Sequence, residues 1–184
     1  MGKLSIDTSL LVLEAWHFRS KDFIPSNPPE GAFAVRGASG GAPPYSYRTS
    51  NPEIAQVNDK TGKVISHGNG KATIIVKDRE GETAEYFLQA SNVDLLFGTG
   101  VFNTYTQCKE AAEKQKGQIP SLEQWRSYIE NYRGTELQDE WCWTSDPGSV
   151  NMRWAINRQS GDEEERSDFG WGGHTANGFG IRPA

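Results

Sequence analysis

Turn signals cut residues 3–94 at short, regular intervals, and no other feature constrains the fold of this chain as much. Leu4, Ile6 and Leu10-Leu11-Val12-Leu13 are brief apolar stretches, followed by Pro25, Pro28-Pro29, Gly37, Gly40-Gly41 and Pro43-Pro44. Tyr45 to Ser50 alternates with period two, as a half-buried strand does, and Asn51-Pro52-Glu53 then turns. Ile54–Val57 and Lys63–Ser66 read as short strands separated by Asn58–Gly62, and His67–Gly70 turns again. Ala72 to Asp78 is the best strand of the chain because it is rich in β-branched residues. Arg79–Glu82 reads as a hairpin tip, and Thr83–Ala90 returns with Ala84, Tyr86 and Leu88 on one face. Strands this short and turns this regular predict an all-β sandwich of two packed sheets.

The pattern changes near Ser91-Asn92-Val93-Asp94, which reads as a junction. No Gly/Ser-rich linker follows; Leu95, Leu96 and Phe97 come at once, which predicts a stiff, partly buried joint. Thr104 to Lys116 has helical spacing through Tyr105, Cys108, Ala111, Ala112 and Gln115, with Gly117 as its stop. Ser121 is a good N-cap for a second helix through Leu122, Trp125, Tyr128, Ile129 and Tyr132, and Gly134 ends it. Trp141–Ser145 and Met152–Asn157 read as strands, Gly161–Glu165 as an acidic turn, Gly170–His174 as loop and Gly178–Arg182 as a closing strand. Two helices followed by a small antiparallel sheet predict an α+β domain. The expected division is a β-sandwich over 3–93 and an α+β domain over 94–184.

Composition narrows the function classes. Mean hydropathy is −0.67 with 20 Gly and 9 Pro, so short strands and aromatic anchors replace a large aliphatic core. A net charge of −5 and scattered Lys and Arg give no electrostatic pull toward nucleic acid. No apolar run approaches the ~20 residues that a membrane-spanning helix needs. Met1-Gly2 reads as an added start on an excised piece, and Arg182-Pro183-Ala184 as an end. No G-x-S-x-G and no H-E-x-x-H is present, so no reaction is suggested and the chain reads as a non-enzyme without cofactor. His17, His67 and His174 are far apart and read as ordinary surface or loop residues. Cys108 and Cys142 have no C-x-x-C spacing and no His nearby; a disulfide and a pair of buried thiols are both open.

Several motifs of the first half occur in the order found in bacterial immunoglobulin-like repeats. They are Gly40–Tyr47, Ser50–Val57, Thr61–Val64 and Asn69–Asp78, and residues 3–92 resemble the BIG2-like group on that basis. In that group such domains are usually spacers. The Cys-bearing helix Tyr105–Ala112, Gly117–Ser121, the helix through Trp125 and the strand Trp141–Ser145 resemble C-type-lectin-like domains, especially the terminal domain of intimin/invasin-type adhesins. The resemblance implies a surface-exposed, outer-membrane-anchored bacterial adhesin whose lectin-like domain binds a host-cell protein or glycan. A carbohydrate-binding module and a ligand-free stalk piece are the alternatives. The family's long bridge joins the first helix to the last strand, which has no Cys here. The resemblance therefore implies a Cys108–Cys142 disulfide, spanning about 34 positions and stabilising by about 3–4 kcal/mol. The calcium- and sugar-binding tripeptides of true lectins are missing, so calcium-dependent sugar binding is not expected.

Loop richness and Gly-flanked aromatics place the expected contact on residues 144–178. The candidate ligand-binding residues are Trp171, His174, Arg153, Trp154 and Asp168, with no metal. Trp125, Trp141 and Trp143 read as core, because small sheets need bulky fillers. Asp162–Glu165 with Asp168 reads as a solvated acidic turn rather than a cation site, since consecutive carboxylates point apart. A monomer with a protein partner is the expected state.

Overall fold

The computed structural model describes residues 2–20, 24–135, 137–170 and 173–184. In chain order its strands are β1 (Leu11–Leu13), β2 (His17–Ser20), β3 (Phe33–Val35), β4 (Ser46–Thr49), β5 (Ala55–Val57), β6 (Lys63–Ser66), β7 (Gly70–Lys77), β8 (Thr83–Ala90) and β9 (Val93–Phe102). Helices α1 (Tyr105–Lys114) and α2 (Leu122–Asn131) follow, then β10 (Trp141–Pro147), β11 (Met152–Asn157), β12 (Glu163–Ser167) and β13 (Ala176–Pro183). Two compact units result. One holds the chain up to His17, Pro28–Val93 and Pro183–Ala184; the other holds Phe18–Asn27 and Asp94–Arg182. Phe18–Asn27, which the sequence places in the first domain, thus belongs to the second unit.

The first unit is all β, with one sheet in the order β1-β8-β7-β4 and another in the order β3-β6-β5. β7 and β8 pair antiparallel from Gly70↔Ala90 to Lys77↔Thr83. Period-two alternation turns Ala72, Ile74 and Val76 of β7 inward beside Tyr86, Leu88 and Ala90 of β8. These six share one core with Leu4, Ile6, Leu13, Tyr47, Ala55 and Val64. Burying each large aliphatic side chain stabilises by roughly 1.5–3 kcal/mol. The β7–β8 hairpin is closed by buried Asp78, whose carboxylate accepts from the backbone N–H of Ala42 (2.8 Å), Glu80 (3.0 Å) and Glu82 (2.8 Å). Those donors hold its carboxyl below the usual carboxylate range, Ala42 contributing most. Gly41 lies in the left-handed region at φ +58, and a Cβ there would sit 2.6 Å from Asp78 Oδ2, so only glycine fits.

The surface reading of two histidines is corrected here. His17 is 1% exposed, with Nδ1 3.1 Å from the Ala15 carbonyl and Nε2 3.1 Å from the Ser66 carbonyl. His67 is buried as well. The burial of His17 comes from a segment distant in sequence, the strand that ends at Ser66.

The second unit is built on a six-stranded sheet in the order β12-β11-β10-β13-β9-β2. Helix α1 is capped by Thr104, whose hydroxyl accepts from Gln107 N–H, so it begins one residue later than the spacing alone suggests. Helix α2 has a full capping box between Ser121 and Gln124, as a Ser N-cap followed by Gln three residues on favours. Cys108 and Ala112 of α1 pack on Trp143 and Ala176, with Phe102 at the margin. Trp125 of α2 packs edge-on against Phe179 (5.3 Å) and Tyr128 (5.7 Å) and donates to the Trp143 carbonyl. Ala176 and Phe179 lie at odd separation on β13, so the two helices cover opposite faces of the sheet.

Two elements depart from the sequence reading. Glu163–Ser167 is an edge strand rather than a turn, pairing antiparallel with β11 from Ile156↔Glu163 to Met152↔Ser167. Its run of acidic residues has low strand preference, and pairing with a neighbour overrides it. β9 extends ten residues through Gly98-Thr99-Gly100, where the sequence shows only a short apolar joint. Gly100 takes φ +129 there, a conformation that breaks the alternating pattern on which strand reading depends.

Candidate functional site

The loops expected to carry contacts lie at one end of the β10–β11–β12 meander. The register Met152↔Ser167 continues to a hydrogen bond from Asp168 N–H to the Asn151 carbonyl (2.9 Å). This pairs the β10–β11 loop with the segment after β12. The Asp168 carboxylate then meets Arg153 (3.9 Å) and accepts from Thr106 N–H in the first turn of α1. The Arg153 guanidinium lies 4.4 Å from the centre of the Tyr105 ring. Arg153, Asp168 and Tyr105 therefore form one cluster at the start of α1. Burial pushes the Tyr105 hydroxyl above its ordinary value.

Trp154 does not join that cluster. Adjacent strand residues face opposite ways, so Arg153 faces α1 while Trp154 emerges on the other face across from Glu165. His174 is exposed on the loop before β13. Trp171 lies outside the described residues. Trp125 and Trp143 are fully buried, and Trp141 is half-buried under the Arg166 guanidinium at 4.7 Å.

The acidic residues each meet a separate partner. Glu163 forms a two-point pair with Arg126 (2.6 and 2.7 Å), which holds its carboxyl below the usual range. Glu164 pairs with Arg166, and Glu165 accepts from Ser149 N–H (2.6 Å) and from the Ser149 hydroxyl (2.5 Å). Among the described residues no three His, Cys, Asp or Glu side chains converge as metal ligands. Alternation along β12 is the physical reason they diverge.

The disulfide implied by the family resemblance is not formed: Cys108 and Cys142 are both buried free thiols. Cys108 packs on Trp143, and Cys142, one residue earlier on β10, leaves the opposite face. Burial pushes the Cys108 thiol up to about 11 and moves Cys142 in the same direction.

Sequence reasoning missed Val150 and Phe169. Continuing the β11–β12 register places them opposite each other beside the Asn151–Asp168 hydrogen bond, 87% and 59% exposed. Their loop is braced by Glu165 on Ser149 and by Gly148 N–H to the Met152 carbonyl (3.0 Å). The available signal was an apolar residue inside each polar turn, Gly-Ser-Val-Asn and Ser-Asp-Phe-Gly.

A chain of this class, mostly β in two units with two helices confined to the second, has known counterparts. The intimin immunoglobulin-like domain family matches residues 29–80. Intimin of Escherichia coli O127:H6 (strain E2348/69 / EPEC) is 31% identical over 84 residues, covering 46% of this chain and 9% of that protein. The C-terminal 282-residue fragment of intimin, solved in complex with the intimin-binding domain of the translocated intimin receptor, superposes with a TM-score of 0.57 at 17% identity. That match covers 98% of this chain and 64% of the fragment. Invasin, a bacterial integrin-binding protein, superposes with a TM-score of 0.50 at 10% identity, over 90% of this chain and 35% of invasin. The fold is thus that of the C-terminal fragments of intimin. The chain spans about a tenth of the intimin whose sequence it matches. Among the described residues no helix is long and apolar enough to cross a membrane.

Proposed function

We propose that this chain is the receptor-binding tip of an intimin/invasin-type adhesin. The first unit is an immunoglobulin-like module and the second a C-type-lectin-like module, whose loops contact a protein on the host-cell surface. The parent protein is anchored in the bacterial outer membrane, the tip works as a monomer, and the role is binding rather than catalysis. Fold likeness to intimin and invasin fragments supports the reading.

The observation that carries it is the braced pair of exposed apolar side chains, Val150 and Phe169. Apolar groups held rigidly in the open lose little entropy on docking, and such groups form the centre of protein interfaces. Arg153 and Asp168 beside them supply a polar rim, and His174 extends the candidate surface.

The test is flow cytometry of the labelled chain on cultured epithelial cells, alongside surface plasmon resonance on the intimin-binding domain of the translocated intimin receptor. Wild type is expected to bind cells saturably through a trypsin-sensitive receptor. Val150→Asp and Phe169→Ser should each lower binding at least tenfold with unchanged Tm. Absence of saturable binding, or full binding by both variants, would sink the reading. A response on the purified receptor domain decides whether that receptor is shared.

A further inference from the structure

The arginines of the second unit differ in what their guanidinium groups meet. Arg126 and Arg166 each place a nitrogen 2.6 Å from a glutamate oxygen, Arg158 reaches Glu140 at 2.7 Å, and Arg182 donates to the Gln115 carbonyl at 2.7 Å. Those lengths are close to the ~2.7–2.9 Å of a charge-assisted hydrogen bond. Arg153 is different. The Asp168 oxygen that it faces is 3.9 Å from its Nε, and among the described residues its guanidinium makes no hydrogen bond. Asp168 is engaged elsewhere, since its other oxygen accepts from Thr106 N–H (3.4 Å).

The Arg153 side chain is nevertheless held in place. Its guanidinium stacks 4.4 Å from the centre of the Tyr105 ring, and 29% of the side chain is exposed. Stacking fixes the plane of the donor fork, so little ordering remains to be done when an acceptor arrives. A guanidinium is more weakly hydrated than an ammonium group, so stripping its water on docking costs less. Arg153 also pairs across the sheet with Pro147, at the base of the loop 148–152 that carries Val150.

We infer that Arg153 takes the carboxylate of an Asp or Glu side chain of the bound receptor, through a two-point guanidinium–carboxylate contact. The inference rests on the receptor-binding reading above and names the chemistry of the partner at that surface. A planar fork of donors matches a planar carboxylate. The Asp168 carboxylate beside it repels a doubly charged phosphate more strongly, which favours a singly charged group. Apolar contact at Val150 and Phe169 excludes water on docking, and the lower local dielectric strengthens the charged contact.

The experiment measures binding of the whole chain to fixed epithelial cells before and after their surface carboxylates are converted to neutral amides with carbodiimide and glycinamide. Arg153→Gln should lower affinity for untreated cells at least tenfold, mainly through faster dissociation. Arg153→Lys, which keeps the charge without the fork, should lower it at least threefold. Amidation should lower wild-type affinity at least tenfold and that of Arg153→Gln less than twofold, because the variant has already lost the partner of that carboxylate. Circular dichroism checks that each variant is folded, and Arg153→Lys carries the same comparison if Arg153→Gln is not. Wild-type affinity in a folded Arg153 variant, or equal losses on amidation in wild type and variant, would overturn the assignment and leave the receptor reading to Val150→Asp and Phe169→Ser. Absence of saturable binding by wild type would overturn both.

Discussion

Cys108 and Cys142 lie on opposite faces of one sheet, with Trp143 filling the face that Cys108 meets. Each thiol is fully buried, which raises its pKa and lowers its reactivity together.

The intact mass should therefore correspond to two thiols without any reductant. Iodoacetamide should leave the native protein largely unmodified, and denaturant alone should open both sites. A requirement for reductant after denaturation would show a bridge instead. The native thiols also have a pH signature. Cys108 keeps its proton up to about 11 when folded, above the ordinary value of 9.0. Its contribution is fully present below about pH 9 and is lost as pH rises toward 11. Chemical denaturation across that window should show a stability decline on the order of 3 kcal/mol from this group.

Asp78 gives the opposite dependence. Its carboxylate is held below the usual range by backbone N–H groups, Ala42 first. Its stabilisation is present above the unfolded value near 3.8 and is lost as pH falls through the depressed folded value. Asp78→Asn should lower the Tm of the first unit at neutral pH and flatten its decline in acid, as followed by circular dichroism.

Tyr132 is buried at the C-cap of α2, and its hydroxyl donates to the Phe18 carbonyl (3.0 Å) while accepting from Ser20 N–H (3.1 Å). Tyr132→Phe keeps the ring and removes both bonds. Urea unfolding should show a loss of about 1–3 kcal/mol. Hydrogen exchange should quicken most at Ser20.

Glu165 has its effect through Ser149, bracing the loop that carries Val150. Glu165→Ala should cost about 1 kcal/mol or less, because the pair is exposed. Receptor binding should weaken mainly through faster dissociation, since an unbraced loop must be ordered on docking. An unchanged dissociation rate on epithelial receptor would mean the brace is irrelevant to binding.

Much of the fold was legible because local chemistry and tertiary structure agreed. Ala72–Asp78 and its return strand alternate with period two, and the packed sheet obeys that period. Ser121 announces a helix start that its side chain caps in the structure. The site was less legible. Arg153 and Trp154 are adjacent in sequence, yet the sheet sends them to opposite faces, so they cannot share one contact. Val150 and Phe169 are 19 positions apart and carry no motif; only the register of β11 against β12 makes them a pair.

The sequence by itself determined the short strands and their turns, the two capped helices and the change of character near Val93, because each depends on residues a few positions apart. Tertiary structure alone decided which face each side chain left and what lay there. It buried His17 and His67, made an edge strand of Glu163–Ser167 by giving each carboxylate its own partner, and kept Cys108 and Cys142 apart. Those outcomes depend on pairing between distant segments, whose register decides contact and whose packing decides exposure.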